Sequence, residues 1–315
     1  MATSNSWNFS VTRDDLIAHA YREIGVLEES ETPSAEQTTD AAAKLNMLAK
    51  TWAKRYDLHL LQDVVLFLVS GQQSYLLGDA STDANWCTID DYNKTTTSAA
   101  AVSGALTVVL TDASGFTTGD RIGVVQDDGT ILWTTGTKSG STITLGTALT
   151  DDVASGNVVF SYTSRVVRPL EVVKDSIYRR DIDNSDIPVE LVSKTEYDQQ
   201  TQKTSEGKII KVAYQPLLTS GRLWVWQPND LATDTLRFTI ERPVQDFDAT
   251  TDNPDFPVEA SMALYKHLAV LLAPGNGAAA ELSWLKPLAD QALQDWLDGA
   301  VEQASVKFMP DMRRR

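Results

Sequence analysis

Val64-Val65-Leu66-Phe67-Leu68-Val69 is where the chain changes character. Ahead of it, apolar residues recur at helical spacing. From Asp63 onward, short runs rich in β-branched and aromatic residues follow one another, bounded by Gly, Pro, Asn or Asp, which is the pattern of strands. This run is the longest strongly apolar one in the sequence, and it is far too short to cross a bilayer, which needs about 20 residues. The strand signals continue at Ser74–Leu77, Arg165–Val173, Val189–Val192, Ile209–Tyr214, Arg222–Trp226 and Thr235–Glu241. In Leu223-Trp224-Val225-Trp226 both faces are apolar, which predicts a strand covered on both sides by layers or by subunits.

Upstream of the run, Thr12 followed by Asp15 has the form of a capping box, a hydroxyl and a carboxylate three residues apart that satisfy orphan N–H groups. Leu16, Ala20 and Ile24, with Ile17 and Tyr21 beside them, make one apolar stripe, and Gly25 is a natural stop. Ser34 with Gln37 opens a second helix, whose stripe runs Ala41, Leu45, Leu48 and Trp52. The spacing predicts antiparallel helices over 12–25 and 34–55. Helix returns beyond the strands. Asp255 with Pro257 marks a start, and Met262, Tyr265, Ala269 and Leu272 form a stripe that ends before Pro274, giving a helix over 257–273. After Pro274-Gly275-Asn276-Gly277 a last helix is expected over 280–304, with Leu285, Leu288, Ala292 and Trp296 on one side. Pro287 should kink it or mark its effective start.

Within the strand region, residues 86–164 have a different composition, dominated by Thr, Ser, Gly and Ala. Alternating runs at Thr107–Leu110, Ile122–Val125, Ile131–Thr134, Thr142–Leu145 and Val158–Tyr162 are separated by Gly-containing turns, and Asp127-Asp128-Gly129 is a hairpin signal. This segment reads as a small all-β barrel or sandwich inserted in a loop of its host. The fold class is therefore α+β: a helical bundle from the N- and C-terminal helices, a central, mainly antiparallel β-sheet domain, and the inserted all-β domain. The expected division is 1–85 with 165–304 as the core, 86–164 as the insertion, and 305–315 as an extended tail.

The chain has 315 residues, enough for two domains or for one with a sizeable insertion. Lys and Arg number 27 against 43 Asp and Glu, a net charge of -16. That argues against ordinary non-specific nucleic-acid binding, in which basic residues neutralise phosphates, and favours solubility over attachment to a membrane surface. The single cysteine, Cys87, has no partner for an internal disulfide and reads as a buried thiol. The start of the sequence lacks the basic-then-apolar pattern of a signal peptide, so a reducing, cytoplasm-like compartment is expected.

Motifs for chemistry are missing. There is no HExxH, CxxC, nucleophile elbow or phosphate-cradling glycine loop. His19, His59 and His267 lie far apart in sequence, and none has a His or Cys neighbour at metal-ligand spacing. Asp14-Asp15, Asp90-Asp91, Asp127-Asp128 and Asp151-Asp152 are paired carboxylates, but neighbours in a turn usually point apart, whereas a glycosidase needs two carboxyls about 5–10 Å apart across a cleft. No catalytic residue, metal or cofactor is expected. The eight tryptophans read as core and interface residues, for which indole is favoured. Trp52, Trp224, Trp226, Tyr265 and Trp296 are the candidates for packing between subunits.

Two terminal blocks resemble a known family. Thr12-Arg13-Asp14-Asp15-Leu16-Ile17, Ala20-Tyr21-Arg22-Glu23-Ile24-Gly25-Val26-Leu27, Glu31-Thr32-Pro33-Ser34-Ala35-Glu36 and Leu45-Asn46-Met47-Leu48 with Trp52 form the first. Phe256-Pro257-Val258-Glu259, Tyr265, Leu268-Ala269-Val270, Leu272-Ala273-Pro274 and Ser305-Val306-Lys307-Phe308-Met309-Pro310 form the second. Together they resemble the head-to-tail adaptors of short-tailed bacteriophages, also called tail accessory or head-completion proteins. The insertion is an elaboration on relatives that are often shorter.

The resemblance implies a structural virion protein at the head–tail junction, assembled in the host cytoplasm. About twelve copies would form a ring beneath the portal. The ring would extend the DNA channel, help retain packaged double-stranded DNA without sequence-specific contacts, and carry the tail nozzle, tubular and fibre proteins, with no membrane involved. Ser305, Val306, Lys307, Phe308, Met309, Pro310, Arg313, Arg314 and Arg315 would extend to grip the portal, ordering against an acidic groove or a sheet edge. An acidic channel wall would let DNA pass without holding it. The rival readings are a virion-associated peptidoglycan hydrolase, which needs two converging carboxylates, and a host-surface glycan-binding tail module centred on the insertion.

Overall fold

The computed structural model describes residues 9–55, 60–78, 85–88, 92–181 and 183–299. It is a mixed α+β chain with several antiparallel sheets. It divides into two compact units, Met1–Leu58 with Val244–Arg315, and His59–Pro243. This partition groups the host strands with the insertion and not with the terminal helices, unlike the sequence division at 85/86 and 164/165.

In the first unit, α1 (Arg13–Glu23) and α2 (Ala35–Arg55) start at the expected capping boxes. The Thr12 hydroxyl accepts from the Asp15 N–H while the Asp15 carboxylate accepts from the Thr12 N–H. Ser34 and Gln37 make the same exchange. The α1 stripe is buried as spaced, with Leu16, Ile17, Ala20 and Tyr21 closed to solvent.

Two helical stripes differ from their expected positions. In α3–α5 numbering, the short α3 (Lys194–Gln199) lies in the second unit, and the first unit continues with α4 (Ser261–Leu272) and α5 (Leu282–Gly299). On α4 the buried apolar residues are Ala263, Leu264, Leu268, Ala269 and Leu272, while Met262 is exposed. On α5 they are Leu285, Ala289, Leu293 and Trp296, while Leu288 is exposed. At 3.6 residues per turn an i+3 and an i+4 step are both allowed, and these helices take the other one. Pro287 lies inside α5, where its missing N–H removes one bond to the preceding turn. Residues 300–304 lie outside the described residues.

The second unit holds two sheets face to face, β1 (Leu61–Phe67), β2 (Ser74–Leu77) and β3 (Trp86–Thr88) being its first strands. A further six strands follow: β4 (Asn93–Thr96), β5 (Thr107–Val109), β6 (Arg121–Val125), β7 (Ile131–Ser139), β8 (Thr142–Leu145) and β9 (Val158–Tyr162). The chain then returns to the two sheets with β10 (Glu171–Val172), β11 (Tyr178–Arg180), β12 (Asp186–Pro188), β13 (Glu190–Leu191), β14 (Lys211–Pro216), β15 (Gly221–Trp226) and β16 (Thr235–Glu241). One sheet runs β12-β11-β16-β1-β3, with β10 also on β16, and the other runs β13-β14-β15-β2. Val64, Leu66, Tyr75, Val212, Leu223, Val225 and Phe238 fill the space between them.

Strands β4 to β9 pair in the order β4-β9-β6-β7-β8-β5. The two ends of that order meet: Thr97 bridges Leu110, and the Ser98 and Thr111 N–H groups donate to Val109 and Thr96 carbonyls. The sheet is thus a closed six-stranded barrel with no free edge, filled by Val108, Phe116, Ile122, Val124, Ile143 and Val159. The hairpin at Asp127-Asp128-Gly129 joins β6 and β7, with Gly129 at φ +82° supplying the left-handed turn position. The insertion was expected from Trp86, but Trp86–Thr88 pairs with β1 and belongs to the host sheet. Likewise the expected strand Arg165–Val173 is shorter: Glu171–Val172 pairs with β16, flanked by the Leu170 and Val173 N–H groups donating to the Glu241 and Thr239 carbonyls, and Pro169 has no N–H with which to extend the ladder.

The opening run explains why the barrel and sandwich form one unit. Val64, Leu66 and Leu68 point into the sandwich, while Val65 and Phe67, on the opposite face by strand alternation, pack against Phe160, Tyr162 and Val125 of the barrel. A strand buried on both faces has no room for polar residues. Cys87 lies buried in the same cluster.

Candidate functional site

The terminal helices are held together at the start of α1. The Arg13 backbone N–H donates to the Asp252 carbonyl at 2.8 Å, and its Nη1 donates to the Asp248 carbonyl at 3.0 Å. Lower down, Lys266 Nζ of α4 reaches Glu23 Oε1 of α1 at 2.7 Å. Burial opposes the Lys266 charge, but Glu23 and Tyr265 together outweigh it, and the pKa stands above its usual value. These ties leave an apolar groove of about 340 Å³ between the two helix starts. Phe9, Val11, Leu16 and His19 line one side, and Val258, Met262 and Tyr265 line the other. The His19 and Tyr265 rings meet with centroids 5.7 Å apart. Phe9 is 72% exposed and Met262 56%, so the groove presents apolar side chains to solvent at its rim.

The five aromatic residues expected between subunits separate into three settings. Trp52 and Trp296 stack at 6.0 Å and 24°, with His267 and Phe256 at their edges, and are buried inside the helical unit. Their rings are consumed by the chain's own core, which corrects the expectation for these two. Tyr265 lines the groove. Trp224 and Trp226 lie on the outer face of the second sheet, where α3 covers part of it. There Tyr197 of α3 meets Trp224 at 5.5 Å, Lys194 Nζ stands 4.8 Å and Arg222 Cζ 5.3 Å from the Trp224 centroid, and Trp226 Nε1 donates to the Thr201 carbonyl. Both faces of this strand thus find cover within the chain, the inner one from the facing sheet and the outer one in part from α3. The residues expected to grip a portal, Ser305–Pro310 and Arg313–Arg315, lie outside the described residues.

The paired carboxylates serve turns and caps. Asp127 accepts from the Ala154 N–H and Asn157 Nδ2, Asp128 from the Thr130 N–H, and Asp152 from the Ser103 N–H. Asp15 caps α1 and Asp14 pairs with Arg13. Asp90 and Asp91 lie outside the described residues, as does His59. Among the described residues no group of three His, Cys, Asp or Glu side chains gathers as a metal site would require, and no helix is long and apolar enough to cross a membrane.

A short motif that sequence reading passed over is Ser193-Lys194-Thr195-Glu196, whose Ser193 hydroxyl accepts from the Glu196 N–H and starts α3. A scan against protein-family models and a search of the curated proteins find no match to this chain.

Proposed function

We propose that this chain is a structural head-to-tail adaptor of a tailed bacteriophage. In this reading about twelve copies form a ring beneath the portal, line a channel for double-stranded DNA, and present an attachment platform for tail nozzle and fibre proteins. The terminal helices form the ring-building bundle, the sandwich is the central domain, and the barrel is a docking surface for neighbouring virion proteins. The observation that carries the proposal is the helical unit itself. The two sequence blocks that resemble adaptors, separated by about two hundred residues, fold against each other through Glu23–Lys266, Arg13–Asp252 and Trp52–Trp296. An acidic chain of net charge -16 suits a channel that passes DNA without gripping it.

Native mass spectrometry of the full chain, alone and mixed with the portal protein encoded in the same genome, tests this. The expected result is a single copy when alone and a closed ring of about twelve on the portal. A chain that leaves the portal bare overturns it. Clearing of a peptidoglycan gel by the purified chain would instead support the hydrolase reading, and glycan-array binding would support the host-surface module.

A further inference from the structure

The sequence contains one Asn-Gly pair, Asn276-Gly277, and it stands where α4 ends. A 3-10 turn, Ala273–Asn276, continues α4, and Gly277 closes it at φ +77°, the left-handed position that glycine takes at helix ends. The Gly277 and Ala278 N–H groups both donate to the Ala273 carbonyl, the latter at 2.9 Å. Asn276 Nδ2 donates to the Leu272 carbonyl at 2.9 Å. Two carbonyls that a helix end leaves without partners are satisfied in this way.

The residues that close the helix are also a reactive pair. Asparagine is thermolabile because its side-chain amide reacts with the backbone nitrogen that follows it, and glycine, having no Cβ, leaves that nitrogen open to approach. A Cβ at Gly277 would meet nothing within 4 Å, so no neighbour crowds the residue. Hydrogen bonds are what restrain the pair. The attacking nitrogen must give up the proton it donates to Ala273, and the departing Nδ2 is held by Leu272.

We propose that Asn276 is a site of spontaneous deamidation, closed while the turn is formed and reactive when it opens. On opening, the Gly277 nitrogen loses its proton to solvent and bonds to Asn276 Cγ. The Cγ–Nδ2 bond breaks, and Nδ2 takes a proton from water and leaves as ammonia. A water molecule then opens the cyclic imide at either carbonyl, its hydroxyl going to the carbon and its proton to the Gly277 nitrogen. The product at 276 is aspartate or isoaspartate, and neither rebuilds the turn. Both lack the Nδ2 donor and set a negative charge against the Leu272 and Ala273 carbonyls, the negative end of the helix dipole. Lys44 Nζ, beside Gly275, is already held by Asp40 at 2.7 Å and does not offset that charge. Helix ends open far more often than a whole domain unfolds, so the reaction proceeds slowly in the folded chain. Each opening that reacts leaves the end of α4 loosened for good. None of this depends on the adaptor reading.

Incubation of the full chain at mildly alkaline pH, native and in guanidinium chloride, tests it. Cleavage after Glu259 and Glu281 releases residues 260–281, in which Asn276 is the only side-chain amide, and mass spectrometry reads its conversion to the acid. Conversion is expected in both conditions, at least about tenfold slower in the native chain, because only the opened fraction reacts. Asn276→Asp installs one product directly. It is expected to speed amide hydrogen exchange over residues 273–278 while exchange in the barrel strands stays as in the unaltered chain. Equal rates in the two conditions overturn the gating by the turn. An amide that survives in guanidinium chloride overturns the site itself, and unchanged exchange in Asn276→Asp overturns the loosening of α4.

Discussion

The Phe67 ring lies 4.6 Å, centroid to centroid, from that of Phe160, and this pair joins the sandwich to the barrel. Phe67 also meets Trp133 at 5.0 Å and Tyr92 at 5.2 Å, so one side chain of β1 carries much of the seam. Phe67→Ala should lower stability by about 3–5 kcal/mol, the range for truncating a fully buried aromatic. Denaturant unfolding followed by tryptophan fluorescence measures it, Trp133 being the reporter at the seam. A loss below about 1 kcal/mol would mean that the barrel holds to the sandwich by other contacts.

The same geometry governs what happens when the barrel is removed. Cutting out the segment between Tyr92 and Thr163 uncovers Val65 and Phe67, both fully buried in the intact chain. The shortened chain is expected to aggregate, because an apolar strip on a sheet face is an association site. Adding Val65→Thr and Phe67→Thr should restore a soluble chain, with size-exclusion chromatography as the readout. Only that second form is a fair test of whether the barrel is needed for docking.

Two ion pairs on neighbouring residues should behave oppositely. Arg179 Nη1 meets Asp234 Oδ2 at 2.7 Å with both side chains buried, and Lys208 shares the same oxygen at 3.1 Å. Asp234→Ala leaves a buried guanidinium without its counter-charge, a loss of about 3–5 kcal/mol. Arg180 and Asp186 make a two-pronged pair at 2.6 Å, but on the surface, so Asp186→Ala should change stability by no more than about 1 kcal/mol. Equal losses in urea unfolding would contradict the assignment of burial as the deciding factor.

These pairs also show what the sequence could and could not reveal. Ser74–Leu77, Thr142–Leu145, Val158–Tyr162 and Thr235–Glu241 are strands at the predicted ends, because alternation of apolar residues is a local signal. Tyr178-Arg179-Arg180 carries no such signal, and its strand depends on Asp234, 55 residues later. Asn93-Lys94-Thr95-Thr96 is a strand because β9 and the closure of the barrel supply its partners, which again is not local. In the candidate site Tyr265 was legible as an aromatic residue on a helix. The groove it lines was not, since it needs Phe9 and His19 from the other end of the chain.

Alkaline conditions should unfold the second unit in a defined window. Burial pushes the Tyr92, Tyr162 and Tyr214 phenols up to about 12 from the usual 10.0. The Tyr214 hydroxyl additionally donates to the Pro169 carbonyl at 2.6 Å, which favours the neutral form. With the folded value above the unfolded one, the stabilisation is complete below pH 10. It declines as the pH rises towards 12, because the unfolded chain gives up these protons first. Absorbance at the tyrosinate band, read alongside far-ultraviolet circular dichroism, should show these three of the nine tyrosines ionising together with unfolding. Their ionisation near pH 10 in a folded chain would refute the burial argument.

The start of α1 gives a prediction of the opposite sign. The Thr12 hydroxyl donates to Asp15 Oδ2 at 2.7 Å and the Thr12 N–H donates to the same oxygen at 3.1 Å. The hydroxyl first, and then the N–H, hold the Asp15 carboxyl below its usual 3.8. Thr12→Ala removes the hydroxyl and with it the cap, a loss of about 0.5–2 kcal/mol at neutral pH. Because the folded value is depressed, the part owed to the carboxylate is present above pH 3.8 and disappears as the pH falls through the lower, folded value. The acceptance of the Asp15 N–H by the Thr12 oxygen, at 3.3 Å, does not depend on that charge. Thermal unfolding of both forms should therefore show a gap that is constant from neutral pH to about pH 4, narrows in more acid solution, and does not close. A gap independent of pH would mean that the hydroxyl caps the helix without help from Asp15.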